Sequence, residues 1–184
     1  SILWPKSYYN VSIDHINKSF PGVEELFVLV EGDKEGAIKT PEVVRQISAF
    51  QRYMEEDKDV VTTFSIGDCI PPYYKNLNLG YPKWDVAPDD SAVMSSLIYL
   101  LTAGSSPGDY DKYFSRDFKS ANVVIYYRDH KGDTVRNAIQ RVKDFMQKQP
   151  MQGVRMRLAS GYVGVVAAVN EAVESSQLLN FICV

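Results

Sequence analysis

The stretch EELFVLVE at residues 24–31 lies between Pro21-Gly22 and Gly32-Asp33. A short run that is apolar on both faces and closed by turn residues predicts a buried β-strand. The stretch ANVVIYYR at residues 121–128 has the same character and predicts a second buried strand. These two strands decide the fold, because a helical pattern and a further strand pattern follow each of them.

After the first strand, Thr40 and Pro41 predict a helix start, with Thr40 as the N-cap and Pro41 at the first helical position. Apolar residues then recur at helical spacing and predict a helix over residues 41–56: Val43, Ile47, Phe50 and Met54. The β-branched stretch VVTTFSI at residues 60–66 predicts the next strand.

After the second strand, Gly132-Asp133 predicts a helix start and Gln149-Pro150 its end. One continuous apolar stripe follows this helix: Val135, Ala138, Ile139, Val142, Phe145 and Met146. Beyond this helix, Val154, Met156 and Leu158 alternate with Arg155 and Arg157. This alternation predicts a strand with one solvent-exposed face. The two arginines are expected to face solvent, and an anion site is the alternative.

The two strand-helix-strand halves predict an α+β fold of the ferredoxin-like, split βαβ type. In this fold the sheet is antiparallel and both helices lie on one face. The alternative is a doubly wound parallel sheet, which needs a glycine-rich strand-to-helix turn to hold a nucleotide. The stretch GDKEG at residues 32–36 lacks that pattern.

A long, mostly helical insertion is predicted at residues 67–118, between the two halves. Asp89 or Asp90 is expected to cap a helix in it that carries Val93, Leu97, Leu100 and Leu101. Insertions of this length are usually functional or face a partner. The alternative is an extra packed layer that covers one edge of the sheet.

The insertion also holds a cluster of prolines and aromatic residues. A cleft for an amphipathic molecule needs apolar walls with a few polar tips, which tyrosine and tryptophan provide. We therefore predict four substrate-binding residues, with packing of the insertion onto the sheet as the alternative: Tyr73, Tyr74, Tyr81 and Trp84.

The composition excludes several classes of protein. At 184 residues the chain has the length of one domain. A net charge of -3 with no basic stripe argues against nucleic acid as a partner. Cys69 and Cys183 are far apart in sequence, so neither a disulfide framework nor a metal site is indicated. No cofactor motif is present either.

One position invites a catalytic interpretation. His130 follows Asp129 and precedes Asp133, and a carboxylate on either side could orient an imidazole for proton transfer. The alternative is an ordinary turn made of Asp, Lys and Gly. The sequence has no nucleophile elbow, phosphate loop, zinc spacing or paired-carboxylate motif. An enzyme is therefore the less favoured class.

The apolar stretch LLNFICV at residues 178–184 follows a segment, 162–177, that is expected to be helical. A membrane-spanning helix needs about 20 apolar residues, and residues 178–184 are expected to be the start of such a helix. The alternative is a terminal helix that docks its apolar tip onto its own domain.

Four segments taken together resemble a known family: residues 20–32, 49–55, 121–134 and 160–173, or FPGVEELFVLVEG, AFQRYME, ANVVIYYRDHKGDT and SGYVGVVAAVNEAV. They are similar to an extracytoplasmic loop domain of bacterial exporters of the resistance-nodulation-division (RND) superfamily. The resemblance points to the MMPL-type branch, which exports lipids and other hydrophobes. It spans nearly the whole chain and is one of order and spacing, with no catalytic motif.

The resemblance implies a single porter-like domain over residues 1–184, on the periplasmic face of the inner membrane. Its partners would be the transmembrane helices and the second loop domain of the same transporter chain, and its substrate a hydrophobic, amphipathic or lipid-like molecule. The proton-coupling carboxylates of the family lie in transmembrane helices outside this chain. The alternative is a free-standing ferredoxin-like ligand-binding or regulatory module, which a native stop codon after Val184 would favour.

Overall fold

A computed structural model describes residues 24–129 and 131–159 of the chain. Three predictions fall outside these residues and keep their status as predictions: the catalytic interpretation of His130, the helix over residues 162–177 and the start of a transmembrane helix at residues 178–184. Among the described residues, no helix has both the length and the apolar character needed to cross a membrane.

The described residues form an α+β fold with one four-stranded antiparallel sheet and four α-helices. In chain order the elements are β1 (Glu24–Gly32), α1 (Pro41–Glu55), β2 (Val60–Phe64), α2 (Ile66–Leu77), α3 (Ser91–Ala103), β3 (Ser120–Tyr127), α4 (Gly132–Lys148) and β4 (Val154–Ala159). Two short 3-10 turns, Ala37–Lys39 and Pro82–Trp84, lie before α1 and between α2 and α3.

The sheet has the strand order β2-β3-β1-β4, and every neighbouring pair is antiparallel. The predicted strands 24–31 and 121–128 are the two central ones, and Val28 lies opposite Val123 in their register. On the other side of β1, Val28 lies opposite Leu158 of β4. Each of the two apolar stretches is thus paired with a strand on either side, which places both at the centre of the sheet.

One face of the sheet forms the floor of the hydrophobic core. Every second residue of β1 is buried, as expected for a strand whose side chains alternate between two faces. Leu26, Val28 and Val30 join the same core cluster as Phe50 of α1 and Phe145 of α4. The two apolar helix stripes predicted from spacing thus pack together over the inner face of the sheet.

The chemistry of the helix ends agrees with the prediction for α1. The Thr40 side chain accepts a hydrogen bond from the Val43 backbone N–H at 3.4 Å and donates one to the Ala37 carbonyl at 3.2 Å. Pro41 occupies the first helical turn, where its missing N–H leaves no hydrogen bond unmade.

The prediction for the end of β2 was wrong by two residues. Ser65 does not continue the strand; its hydroxyl caps α2 by accepting from the Gly67 N–H at 2.9 Å. The Asp68 carboxylate accepts from the Ser65 N–H at 2.7 Å, which completes a capping box. Ile66 therefore starts a helix, and that helix continues through Pro71 and Pro72.

Within the insertion, Asp90 and not Asp89 caps α3. Its carboxylate accepts from the backbone N–H groups of Ala92 at 2.8 Å and Val93 at 2.9 Å. Asp89 instead pairs with Arg45 of α1. Leu97 is buried as the helical pattern predicts, whereas Leu100 is 44% exposed, because α3 is apolar on more of its circumference than the core can cover.

Candidate hydrophobic cleft in the insertion

A shallow cleft of about 380 Å³ lies where α2 ends and the chain turns toward α3. Six consecutive or nearly consecutive residues line it: Leu77, Asn78, Leu79, Tyr81, Lys83 and Trp84. Pockets of roughly 300–1,000 Å³ with mostly apolar walls are typical of small-molecule sites.

The turn that forms the cleft is fixed by backbone geometry. Leu79 and Gly80 both adopt left-handed backbone conformations, with φ of 59° and 76°. The Gly80 N–H donates to the Lys75 carbonyl at 2.9 Å, and the Asn78 side-chain amide donates to the Tyr74 carbonyl at 2.8 Å. These bonds satisfy the last carbonyls of α2, so the chain reverses sharply and exposes the Leu79 side chain.

Trp84 forms one wall of the cleft and is held from two sides. The Tyr74 ring meets the Trp84 ring in an edge-to-face arrangement with centroids 5.0 Å apart. The next residue, Asp85, forms an ion pair with Lys75 at 2.9 Å, which anchors the 3-10 turn to α2. Lys83 places its ammonium 5.1 Å from the Trp84 ring centroid, a cation-π distance.

The apolar side chains of the cleft are unusually open to solvent. Leu79 is 88% exposed, Tyr81 is 59% exposed and Leu77 is 50% exposed. A single exposed leucine needs no explanation, but three neighbouring large apolar groups around one concavity form the type of surface that binds ligands or partners.

The structure brings three of the four predicted residues together. Tyr81 and Trp84 line the cleft, and Tyr74 supports Trp84 from the side of α2. Both Tyr73 and Tyr74 pack against the core, and Tyr73 neither lines the cleft nor contacts the Trp84 ring. It lies near Tyr110, whose pKa is raised mainly by burial and further by the nearby Cys69, Asp109 and Tyr73.

Two further cleft residues, Leu77 and Leu79, were missed by the sequence interpretation. Two residues apart, they fit no single face of a helix, and α2 ends at Leu77, before Leu79. The available signal was Gly80, since a glycine directly after a helix commonly takes the left-handed position that ends it.

Asp129 and Asp133, the two carboxylates considered as partners of His130, are both engaged in other contacts. The Asp129 carboxylate accepts from the Thr134 hydroxyl at 2.7 Å and from the Lys131 N–H at 3.1 Å. Burial alone would raise the pKa of Asp129, but these hydrogen bonds and the Lys131 charge outweigh it and lower that pKa. Asp133 forms an ion pair with Arg136 and is exposed.

A buried polar network connects α1, β2 and α2. The Gln51 amide donates to Thr63 at 3.0 Å and to Asp68 at 2.6 Å, and its carbonyl accepts from the Ser65 hydroxyl at 2.6 Å. Each side-chain amide atom of Gln51 has a partner, so this cluster fixes the start of α2 and leaves nothing aimed at a ligand.

Within residues 24–129 and 131–159, no group of three or more His, Cys, Asp or Glu side chains is placed to hold a metal ion. Cys69 is a free thiol whose pKa is raised to about 11 by burial and by the neighbouring Asp68 charge. A thiol that stays protonated at neutral pH is a poor nucleophile.

The outer strand β4 carries the two arginines considered for an anion site. Arg155 pairs with Asp33 at 3.0 Å, and Arg157 lies 3.4 Å from Glu31 of the neighbouring strand β1. Both arginines are largely exposed, and their charges are balanced by these carboxylates.

Comparison with known proteins adds no family to this description. The sequence matches no protein-family model, and none of the curated proteins compared with it is a match.

Proposed function

We propose that the chain is an extracytoplasmic porter-like domain of an RND-superfamily exporter of the MMPL type, and that it binds a hydrophobic, amphipathic or lipid-like substrate. The observation that carries the proposal is the exposed cleft around Tyr81 and Trp84, whose apolar side chains a globular domain would otherwise bury. The proposal includes a location on the periplasmic face of the bacterial inner membrane and no catalytic role.

The arrangement of the strands supports the ferredoxin-like part of this proposal. The order β4-β1-β3-β2 with all neighbours antiparallel, and one helix in each strand-helix-strand half, is what a split βαβ layer requires. In the proposed transporter, the insertion with α2 and α3 extends from this layer and presents the cleft to substrate. Its proposed partners are the transmembrane helices and the second loop domain of the same transporter chain.

Ligand binding at the cleft is testable by fluorescence, because the chain has two tryptophans. The Trp4→Phe variant leaves Trp84 as the one indole. We expect monomeric lysophosphatidylcholine to shift the Trp84 emission to shorter wavelength in a saturable way. Glycerophosphocholine has the same headgroup but no acyl chain. It should cause no shift, because the apolar walls of the cleft would have no acyl chain to contact.

A matched pair of variants separates binding in the cleft from nonspecific binding to exposed aromatic side chains. Tyr81 is 59% exposed in the cleft, and Tyr99 is 67% exposed on α3 and outside the cleft lining. Tyr81→Ala should weaken lysophosphatidylcholine binding, whereas Tyr99→Ala should leave it unchanged. Equal effects of the two variants, or no saturable binding to the parent, would contradict the proposed binding role.

The transport part of the proposal requires the whole gene. If the reading frame encodes transmembrane helices next to these residues, export of a hydrophobic reporter by cells should fall in a Tyr81→Ala and Trp84→Ala double variant while its membrane expression is unchanged. Binding at the cleft without flanking transmembrane segments would instead favour the alternative, a free-standing ligand-binding module.

A further inference from the structure

A second pocket, separate from the cleft, lies between the last turn of α3 and the segment that leads into β3. Its volume is about 350 Å³. The lining combines aromatic rings with hydroxyl, carboxylate and guanidinium groups: Thr102, Ser105, Tyr110, Asp111, Phe114, Arg116 and Phe118 are among its residues. The pocket thus offers both aromatic walls and polar groups, and its volume lies within the range of small-molecule sites.

The apolar wall of this pocket is a ladder of three rings. Tyr110 stacks on Phe114 with centroids 5.3 Å apart, and Phe114 stacks on Phe118 with centroids 5.4 Å apart. Lys39 places its ammonium 4.0 Å from the Phe118 centroid and so closes the end of the ladder. Stacking covers both faces of Phe114, and Phe118 lies between Phe114 and the Lys39 ammonium, so a ligand would meet these two rings at their electropositive edges.

The ladder is held on rigid elements. Phe114 forms a β-bridge with Ala121 at the start of β3, and the Asn122 N–H donates to the Tyr113 carbonyl at 2.7 Å. The Asn122 side-chain amide donates to the Lys112 carbonyl at 2.8 Å. The segment is therefore attached to the sheet before any ligand arrives, which lowers the entropy cost of binding.

Phe118 adopts a backbone conformation that aromatic residues rarely take. Its φ of 53° lies in the left-handed region, where the side chain crowds its own backbone. Its carbonyl accepts from the Ile38 N–H at 3.2 Å, and the carbonyls of Asp117 and Lys119 accept from Gly36 and Gly32 at 2.9 Å. These bonds hold the strained residue in place, and strain of this kind is concentrated at functional sites.

The polar end of the pocket favours an uncharged ligand. Asp111 and Arg116 face each other at 3.6 Å, which is too long for a hydrogen bond, and both side chains are more than half exposed. A hydroxyl group can donate to the carboxylate and accept from the guanidinium at the same time. The two charges balance, so the pair offers no net charge to an anion or a cation, whereas a neutral hydroxyl can bond to both side chains.

We propose that this pocket binds one neutral aromatic alcohol, with its ring against the edges of Tyr110, Phe114 and Phe118 and its hydroxyl between Asp111 and Arg116. The site is distinct from the cleft at Tyr81 and Trp84, and the proposal does not rest on the transport function. Phe118 positions the aromatic ring of the ligand, and the Asp111–Arg116 pair favours a ligand without charge.

The test is a calorimetric titration of the 184-residue chain with 1-naphthol. We expect saturable binding of 1-naphthol and much weaker binding of 1-decalol, which has the hydroxyl but no aromatic ring. The Phe118→Gly variant keeps the left-handed backbone accessible and removes the ring, so its Kd for 1-naphthol should rise about tenfold. Tyr99→Ala removes an exposed ring of α3 that lines neither pocket, and it should leave this Kd unchanged.

A second variant keeps the proposal testable if Phe118→Gly does not fold. Asp111→Ala lies on the surface and leaves Arg116 without its balancing charge. It should reverse the preference of the pocket from 1-naphthol to 1-naphthoate. The proposal is overturned if the parent does not bind 1-naphthol, if a folded Phe118→Gly variant binds it as well as the parent does, or if Asp111→Ala does not change the preference.

Discussion

The ring of Phe50 in α1 meets the ring of Phe145 in α4 with centroids 5.0 Å apart and planes inclined by 58°. Tyr53 adds a second ring, 5.3 Å from Phe145. This contact joins the helix of the first half to the helix of the second half. Since both helices also cover the inner face of the sheet, the pair lies where the two halves share one core.

Removal of the Phe145 ring should lower the unfolding free energy substantially. Phe145 is 3% exposed, so Phe145→Ala removes a buried ring and leaves a cavity, with an expected loss of about 3–5 kcal/mol in unfolding free energy. Chemical denaturation followed by circular dichroism measures the loss. Ile139 on the same helix is only partly buried, so Ile139→Ala should cost less than half as much. Equal costs would contradict the packing described for α4.

At Leu79 the left-handed backbone should reverse the usual order of stability, in which an alanine variant is more stable than a glycine variant. In an exposed helical position, alanine is more stable than glycine by about 1 kcal/mol. At Leu79, where φ is 59°, an alanine side chain crowds the backbone, so Leu79→Gly should be more stable than Leu79→Ala by about 1 kcal/mol.

The matched control for this reversal is Ser96, which is exposed on α3. There the usual order should hold, with Ser96→Ala more stable than Ser96→Gly. Denaturant midpoints of the four variants decide the question. If alanine is the more stable residue at both positions, the left-handed conformation of Leu79 is wrong.

The Ser65 hydroxyl has two roles, so its removal should cost more than the loss of an ordinary cap. Ser65→Ala removes the N-cap of α2, worth about 1 kcal/mol, and also removes the donor to the buried Gln51 carbonyl, worth about 1–3 kcal/mol. Asp90→Ala, which removes the exposed cap of α3, should cost only about 1 kcal/mol. Urea unfolding of both variants gives the comparison, and similar costs would mean that the Gln51 contact contributes little.

Burial of Cys69 predicts a pH-dependent thiol reactivity. Because burial raises the pKa of Cys69 to about 11, its alkylation by iodoacetamide in a Cys183→Ser background should stay slow at pH 8 and increase toward pH 11. In the unfolded protein the increase should occur around the ordinary value of 9.0.

The same pKa shift has a consequence for stability. The folded state holds the thiol proton more tightly than the unfolded state, so this contribution is fully present below pH 9 and is lost as the pH rises toward 11. A Cys69→Ser variant should therefore lose less stability than the parent over that interval. A parent thiol that is fully reactive at pH 8 in the folded state would contradict the burial of Cys69.

Much of the sheet and both helices of the strand-helix-strand halves could be predicted because their signals are local. Residues 24–31 and 121–128 show apolar runs between turn residues, and α1 and α4 have apolar stripes with a period close to 3.6. Thr40 and Gln149 mark a helix start and a helix end through chemistry within a few residues. Such signals need no knowledge of the rest of the chain.

The insertion was predicted less well because its structure depends on distant residues. Two consecutive prolines argue against a helix at residues 66–77, yet the buried Gln51 of α1 binds both Ser65 and Asp68 at its start, and Ile66 and Ile70 enter the core. Spacing alone likewise could not tell that Tyr81 would line the cleft and Tyr73 would not.

The sequence by itself determined the alternation of strands and helices and the ends of α1 and α4, since these follow from periodicity and capping. Only the tertiary structure decided the strand order, the exposure of Leu79 and the ring ladder from Tyr110 to Phe118. The physical reason is that these features arise from contacts between segments far apart in sequence. The free energy of such contacts cannot be predicted from a local sequence pattern.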